Sequence, residues 1–206
     1  VCAIQAVVEG RSLSRETASA VMETILTGSV TEAQFGALVT GLRLKGETAE
    51  EIAGLADSMR RHATRVDLGR LSAVDNCGTG GDGMGWFNVS TTAAFIAAGA
   101  GAKVAKHGNR SASSQSGGAD VLEALGVRVA AEPDIVARSV REAGVGFMFA
   151  QTYHPGMKFA APLRREIGIR TVFNILGPLT NPAGVRRQLL GVADPSFAPL
   201  MADALR

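Results

Sequence analysis

Two cysteines, one tryptophan and one tyrosine are all that this 206-residue chain has of those residues, and its charges almost cancel at +2. Each scarcity excludes something. Cys2 and Cys77 make no disulfide framework and no paired metal-ligand spacing. The longest uncharged apolar stretch, residues 93–102, is about half of the ~20 residues that a membrane-spanning helix needs. Residues 1–10 lack a basic lead and a long apolar run, so no signal peptide is read there. No Ser/His/Asp order, HExxH, CxxC or Walker sequence is present, and nothing proposes a covalent nucleophile. A charge of +2 does not make nucleic acid an expected partner. These absences point to a soluble, cytoplasmic protein that engages no membrane. Val1 in place of Met, and Arg206 inside an expected helix over 197–206, read as cut ends.

Apolar residues and glycine are plentiful. Hydrophobic residues make up 46% of the chain, enough for a sizeable core and too many for a disordered one. Glycine is 25 of 206, about 12% against a usual ~7%. That excess suits loops where backbone approaches a ligand.

The first third reads as helices. One runs near 14–27 and ends at Gly28. Thr31-Glu32-Ala33-Gln34 is a capping box, followed by Phe35, Leu38, Val39 and Leu42 at helical spacing and stopped by Gly46. Thr48-Ala49-Glu50-Glu51 repeats the start signal, with Ile52, Leu55, Ala56 and Met59 on one face. After Val66 the rhythm changes. A strand at 71–74 leads into a glycine loop at 77–85, a helix near 91–99, a strand at 103–106 and a polar loop at 107–118. A helix at 120–125, an apolar segment at 127–130, a helix over 133–143 and a strand at 145–150 follow. This alternation predicts right-handed crossovers and a mostly parallel sheet, with ligands at the carboxyl ends of its strands. The fold class is α/β, with an all-helical domain over 1–64 before a parallel-sheet domain over 66–206.

Four segments could carry chemistry. Gly78-Thr79-Gly80-Gly81-Asp82-Gly83 offers backbone amides to an anion, and a helix start follows it. Its spacing also fits the dinucleotide fingerprint, but no acidic residue occurs between Asp82 and Asp120 to meet a ribose. Asn88-Val89-Ser90-Thr91 either binds phosphate or a hard cation, or is an ordinary helix cap supplied by Ser90 or Thr91. Lys106-His107-Gly108-Asn109-Arg110-Ser111 gathers two cations, an imidazole and an amide at a strand end, and Ser113 and Ser114 add donors. In the fourth segment Met157, Phe159 and Ala160 read as the core of a short helix. Arg164 and Arg165 lie on the same helix, one available to Glu166 and one to a carboxylate ligand. Residues 174–182 read as a rigid Gly/Pro wall. This inventory favours a transferase that acts on a phosphorylated substrate by positioning and electrostatics.

Together these motifs resemble the anthranilate phosphoribosyltransferase family. The resemblance rests on GTGGD (78–82), NVST (88–91), KHGNRSASS (106–114), GGADVLEALGV (117–127) and RTVFNILGPLTNP (170–182). It implies an α/β domain of the nucleoside phosphorylase/phosphoribosyltransferase type, incomplete at its C-terminal end. It also implies that anthranilate attacks 5-phosphoribosyl 1-diphosphate, with Mg²⁺ as cofactor. The donor-binding residues it implies are Gly78, Gly81, Asp82, Asn88, Val89, Ser90 and Thr91, then Lys106, His107, Gly108, Asn109 and Arg110, and Ser111, Ala112, Ser113, Ser114 and Gly118. Ser90 doubles as a Mg²⁺ ligand. Gly78, His107, Asn109, Arg164 and Pro178 match acceptor-site positions, and 155–182 is expected to line that site near the domain junction. A homodimer formed through the helical domain is implied as well. Trp86 and Gly118 depart from the family, which usually carries threonine and serine there, and the Asp-Glu pair of a second Mg²⁺ site is expected beyond Arg206. Three rivals remain: a pyrimidine nucleoside phosphorylase relative, a non-catalytic nucleic-acid-binding relative and a dinucleotide-dependent oxidoreductase.

Overall fold

The computed structural model describes residues 1–81, 85, 87–111 and 116–206. Helices α1 (Cys2–Val8), α2 (Arg15–Leu26), α3 (Glu32–Lys45) and α4 (Ala49–His62) open the chain. After them come β1 (Val74–Asp75), α5 (Val89–Gly99), β2 (Val104–Gly108), α6 (Gly118–Ala124), α7 (Pro133–Ala143), β3 (Val145–Phe149) and α8 (Ala150–Tyr153). Helices α9 (Met157–Ile167) and α10 (Phe173–Leu176), strand β4 (Arg187–Gln188) and helix α11 (Ala198–Ala204) complete the order. No described helix is long and apolar enough to cross a membrane.

These elements form two compact units: residues 1–63, 154–180 and 195–206 in one, residues 64–153 and 181–194 in the other. The sequence division near 64 left everything after it with the sheet. Residues 154–180 and 195–206 instead pack with the helices, because their apolar side chains need that core. The Phe173 ring lies 5.5 Å from that of Phe35, and Leu176, Leu179 and Met201 are buried. Local signals set the helix starts. Thr31 accepts from the Gln34 amide at 3.2 Å while the Gln34 side chain accepts from the Thr31 amide at 3.0 Å. Thr48 and Glu51 repeat the exchange. Glu51 is fully buried, yet it also accepts from the Leu13 amide at 2.8 Å and pairs with Lys45 at 3.0 Å, so its charge is satisfied. Helix α1 was not read from the sequence. Phe159, expected in the core, is 41% exposed.

The second unit is a parallel sheet in the order β3-β2-β1-β4. Val74 pairs with both Val104 and Arg187, and β2 runs in register with β3 from Val104/Val145 to Gly108/Phe149. One core face gathers Ala105, Met148, Tyr153, Val136 and Val140, the other Phe147, Phe149, Ala119 and Leu122. Pro133 at N1 and Gly144 at the left-handed C-cap fix the limits of α7. Several boundaries differ from expectation. The 71–74 strand shrinks to Val74–Asp75, because Leu71 turns back to bond Leu68. Strand β2 extends through His107 and Gly108, because pairing with β3 continues there. Ala150 begins α8 rather than ending β3.

Candidate active site

Parallel strands put all their carboxyl ends on one edge of the sheet. Asn76, Cys77 and Gly78 follow β1 there, and Lys106 and His107 are the third and fourth of the five residues of β2. The glycine loop folds onto the segment after β4. Gly78 bridges Gly191, the Thr79 amide donates to the Gly191 carbonyl at 2.9 Å, and the Ala193 amide donates to the Thr79 hydroxyl at 3.1 Å. Gly80 and Gly81 both take left-handed backbone, φ 65° and 74°, which side chains resist. Asp82, Trp86, Ala112, Ser113 and Ser114 lie outside the described residues.

Helix α5 begins two residues earlier than its pattern suggested, and its cap is Asn88. The Asn88 side-chain oxygen accepts from the Thr91 amide at 2.8 Å, and its amide donates to the Ser116 carbonyl at 2.7 Å. Neither Ser90 nor Thr91 is needed as a cap. The Thr91 hydroxyl is buried with no hydrogen-bond partner among the described residues, and Gly118 leaves room beside it: a Cβ at 118 would stand 3.3 Å away. The positive end of the α5 dipole lies at this cap.

Lys106 is 3% exposed. Its Nζ donates to the Asn76 carbonyl at 3.1 Å, the Asn76 side-chain oxygen at 3.3 Å and the Ser90 hydroxyl at 3.1 Å. All three acceptors are neutral, and no carboxylate forms an ion pair with it among the described residues. Burial pulls its pKa down, opposed by the field of Asp75. A buried ammonium held by neutral oxygens beside a helix N-terminus is a site that an anion completes.

Beneath it lies a residue that sequence reasoning missed. Asp75 is fully buried and accepts from the His107 amide at 3.1 Å, the Asn181 side chain at 2.9 Å, the Gln188 side chain at 3.3 Å and the Cys77 thiol at 3.2 Å. Asn181 donates as well to the Ala105 carbonyl at 2.9 Å. One carboxylate therefore ties β1, the end of β2, β4 and the turn at Asn181. Burial and the neighbouring Asp75 charge push the Cys77 thiol up, so it stays protonated and unreactive. An acidic residue between an apolar strand and a glycine loop reads as loop, and no local signal distinguishes it.

The other expected residues are placed variously. Val89 is exposed, and His107 is buried on β2. Gly108 packs under the Phe147 ring. The Asn109 carbonyl accepts from the Ala119 amide at 3.3 Å. Arg110 is engaged by Asp120 at 2.9 Å and by both Glu123 oxygens at 2.6 and 2.7 Å. In the helical unit Arg164 is half-buried, its guanidinium carbon 5.3 Å from the Phe173 ring centre. Burial lowers its pKa. The local pairing with Glu166 does not occur, and Arg164 has no ion pair among the described residues. Pro178 is buried in a tight turn, Gly177–Leu179, whose Leu179 carbonyl accepts from Arg60 at 2.6 Å.

The Mg²⁺ that the resemblance implies finds a sparse donor set. Among the described residues no group of three His, Cys, Asp or Glu could hold a metal. The Ser90 hydroxyl already accepts from Lys106. With one bond accepted from Lys106 and one donated to the Asn88 side-chain oxygen, that hydroxyl keeps one lone pair, a single oxygen ligand for a hard cation.

Among known proteins, an anthranilate phosphoribosyltransferase of Roseiflexus sp. (strain RS-1) is 61% identical over 199 residues, covering 97% of this chain and 58% of that protein. The crystal structure of anthranilate phosphoribosyltransferase from Thermus thermophilus matches with a TM-score of 0.94 at 47% identity, over 100% of this chain and 62% of that one. The Saccharomyces cerevisiae anthranilate phosphoribosyltransferase in complex with PRPP and Mg matches at 0.86 and 34% identity, over 93% and 57%. The chain thus spans 57% to 62% of the length of these relatives. Residues 1–63 match the helical bundle domain of the glycosyl transferase family and residues 70–206 its a/b domain, and the chain belongs to that family.

Proposed function

We propose that the chain transfers the 5-phosphoribosyl group of 5-phosphoribosyl 1-diphosphate to the amine of anthranilate, a step of tryptophan biosynthesis. The carrying observation is the buried Lys106 ammonium, held by neutral oxygens at the N-terminus of α5. In this reaction the amine nitrogen bonds to C1 of the ribose and the C1–O bond breaks. Its electron pair leaves on diphosphate, and the amine gives up one proton. No covalent nucleophile is required. The ribose gains positive character as diphosphate departs, so catalysis rests on stabilising the leaving anion and holding the amine close.

The residues divide accordingly. The glycine loop around Gly78 and Gly81, with Asp82, takes the diphosphate. Asn88, Val89, Ser90 and Thr91 contribute amides and hydroxyls to donor oxygens, and Lys106 supplies the compensating charge in a desolvated place where it acts strongly. His107, Gly108, Asn109 and Ser111 to Ser114 border the same substrate. Ser90 would give Mg²⁺ an oxygen ligand, and the cation would supply charge that neutralises the leaving group. Arg164 takes the anthranilate carboxylate. Its planar fork suits a bidentate grip, and no acid pairs with it among the described residues. Gly78, His107, Asn109 and Pro178 complete the acceptor positions. A homodimer and a cytoplasmic location belong to this reading on the strength of the family resemblance.

The test is turnover. With both substrates and Mg²⁺, the chain should release diphosphate and form N-(5-phosphoribosyl)anthranilate in equal amounts, read by mass spectrometry. Phosphate-dependent cleavage of a pyrimidine nucleoside, with no transfer to anthranilate, would overturn the proposal in favour of a phosphorylase.

A further inference from the structure

The resemblance counts Arg110 among the donor contacts. The geometry points elsewhere: we propose that Arg110 is a positioning residue, a brace that Asp120 and Glu123 hold so that Ser111 and Gly117 stay together. The proposal rests on the donor-binding reading only for its kinetic consequence.

The argument begins at Asp120, the third residue of α6. Its Oδ2 accepts from the Ser111 amide and from the Gly117 amide, each at 3.1 Å. One carboxylate oxygen therefore joins residues 111 and 117, six positions apart in sequence. The approach is close enough to require glycine at 117. A Cβ there would overlap the Ser111 amide nitrogen and stand 2.6 Å from Asp120 Oδ2. The Asp120 carboxyl is held below its ordinary range, first by the Ser111 amide. Its other oxygen, Oδ1, receives Arg110 Nη1 at 2.9 Å.

Arg110 does not stop at Asp120. Nη1 and Nη2 reach the two oxygens of Glu123 at 2.6 and 2.7 Å, a fork-to-fork pair, and the guanidinium carbon lies 5.5 Å from the Phe149 ring centre. Two carboxylates and an aromatic face thus use this guanidinium together. A cation so neutralised is a poor ligand for a further anion unless it first leaves both acids. Lys106, by contrast, is buried and pairs with no acid among the described residues, so the two cations of this segment divide the work. Lys106 faces the donor, and Arg110 fixes the loop.

The alternatives give opposite signs. If Arg110 braces the loop, Glu123→Gln loosens it and weakens the donor. If Arg110 must leave Glu123 to grip the donor, Glu123→Gln releases it and strengthens the donor. The experiment combines hydrogen exchange at the Ser111 and Gly117 amides with steady-state kinetics on the wild-type chain, Glu123→Gln, Arg110→Ala and the double variant. Expected for Glu123→Gln are faster exchange at both amides and a KM for phosphoribosyl diphosphate raised about two- to fivefold, the size an exposed ion pair carries. kcat and the KM for anthranilate should hold, a split that general loosening of the fold would not give. The double variant should match Arg110→Ala alone, and Glu123→Asp should restore part of the loss. Unchanged exchange, or a lowered donor KM, overturns the brace. If the wild-type chain binds no phosphoribosyl diphosphate, the donor-binding reading fails, and the exchange rates still decide the brace.

Discussion

Replacing Lys106 by methionine removes one charge and keeps most of the side-chain volume. Lys106 makes three bonds to neutral oxygens, at 3.1, 3.3 and 3.1 Å. Its loss acts on two quantities differently. For folding, the cost of burying an ammonium disappears while Asn76 and Ser90 lose a donor, and these opposed effects should leave stability within about 1 kcal/mol. For the donor, one compensating charge is lost, worth from about 1 kcal/mol, the value in water at about 4 Å, to about 4 kcal/mol at an effective dielectric near ~20, which is from about fivefold to several hundredfold in Kd. Titration calorimetry with phosphoribosyl diphosphate and Mg²⁺, beside a thermal melt, reads both. A Kd within twofold of wild type in a folded variant would refute the assignment. A large fall in Tm with intact affinity would make Lys106 structural only.

Arg164→Ala should raise the KM for anthranilate by more than that for phosphoribosyl diphosphate. Equal changes in the two constants would remove its carboxylate role. His154 is buried with its pKa lowered to about 4, by burial first, against 6.5 in the unfolded chain. The unfolded state therefore binds the proton more readily, and stability present above pH 6.5 is lost as pH falls toward 4, by on the order of 3 kcal/mol. Denaturant midpoints across that window should show the loss, and His154→Gln should flatten it; an unchanged slope in the variant counts against His154 as its source. Gly117→Ala should separate the Ser111 and Asp120 contacts, lower stability by roughly 1–3 kcal/mol through overpacking, and weaken donor binding. Wild-type affinity in that variant would mean the loop tolerates the displacement.

The parts of the fold legible in the sequence were those set by neighbours in the chain. The capping boxes at Thr31 and Thr48, and the Pro133 and Gly144 signals, act within four residues or at a single position, so α3, α4 and α7 could be bounded from pattern alone. Strand β1 could not, because two residues between β2 and β4 become a strand only when both partners arrive. The same holds for the site. The glycine loop, the α5 start and the cationic segment were visible as motifs. The role of Asp75 depends on Asn181 and Gln188, more than 100 positions away. Arg110 shows the limit most plainly. Its acids lie 10 and 13 residues on, a spacing that carries no signal until the loop returns to α6.

The central claim is a donor site in the sheet-bearing unit that takes a phosphorylated ribose with Mg²⁺. Trp86 is the sole tryptophan and lies within that stretch of sequence. Titrating the chain with phosphoribosyl diphosphate, with and without Mg²⁺, and following tryptophan emission tests the claim directly. The account predicts a saturable change that Mg²⁺ strengthens and that Lys106→Met weakens. A folded wild-type chain whose emission and calorimetric trace both stay flat to millimolar donor would contradict it.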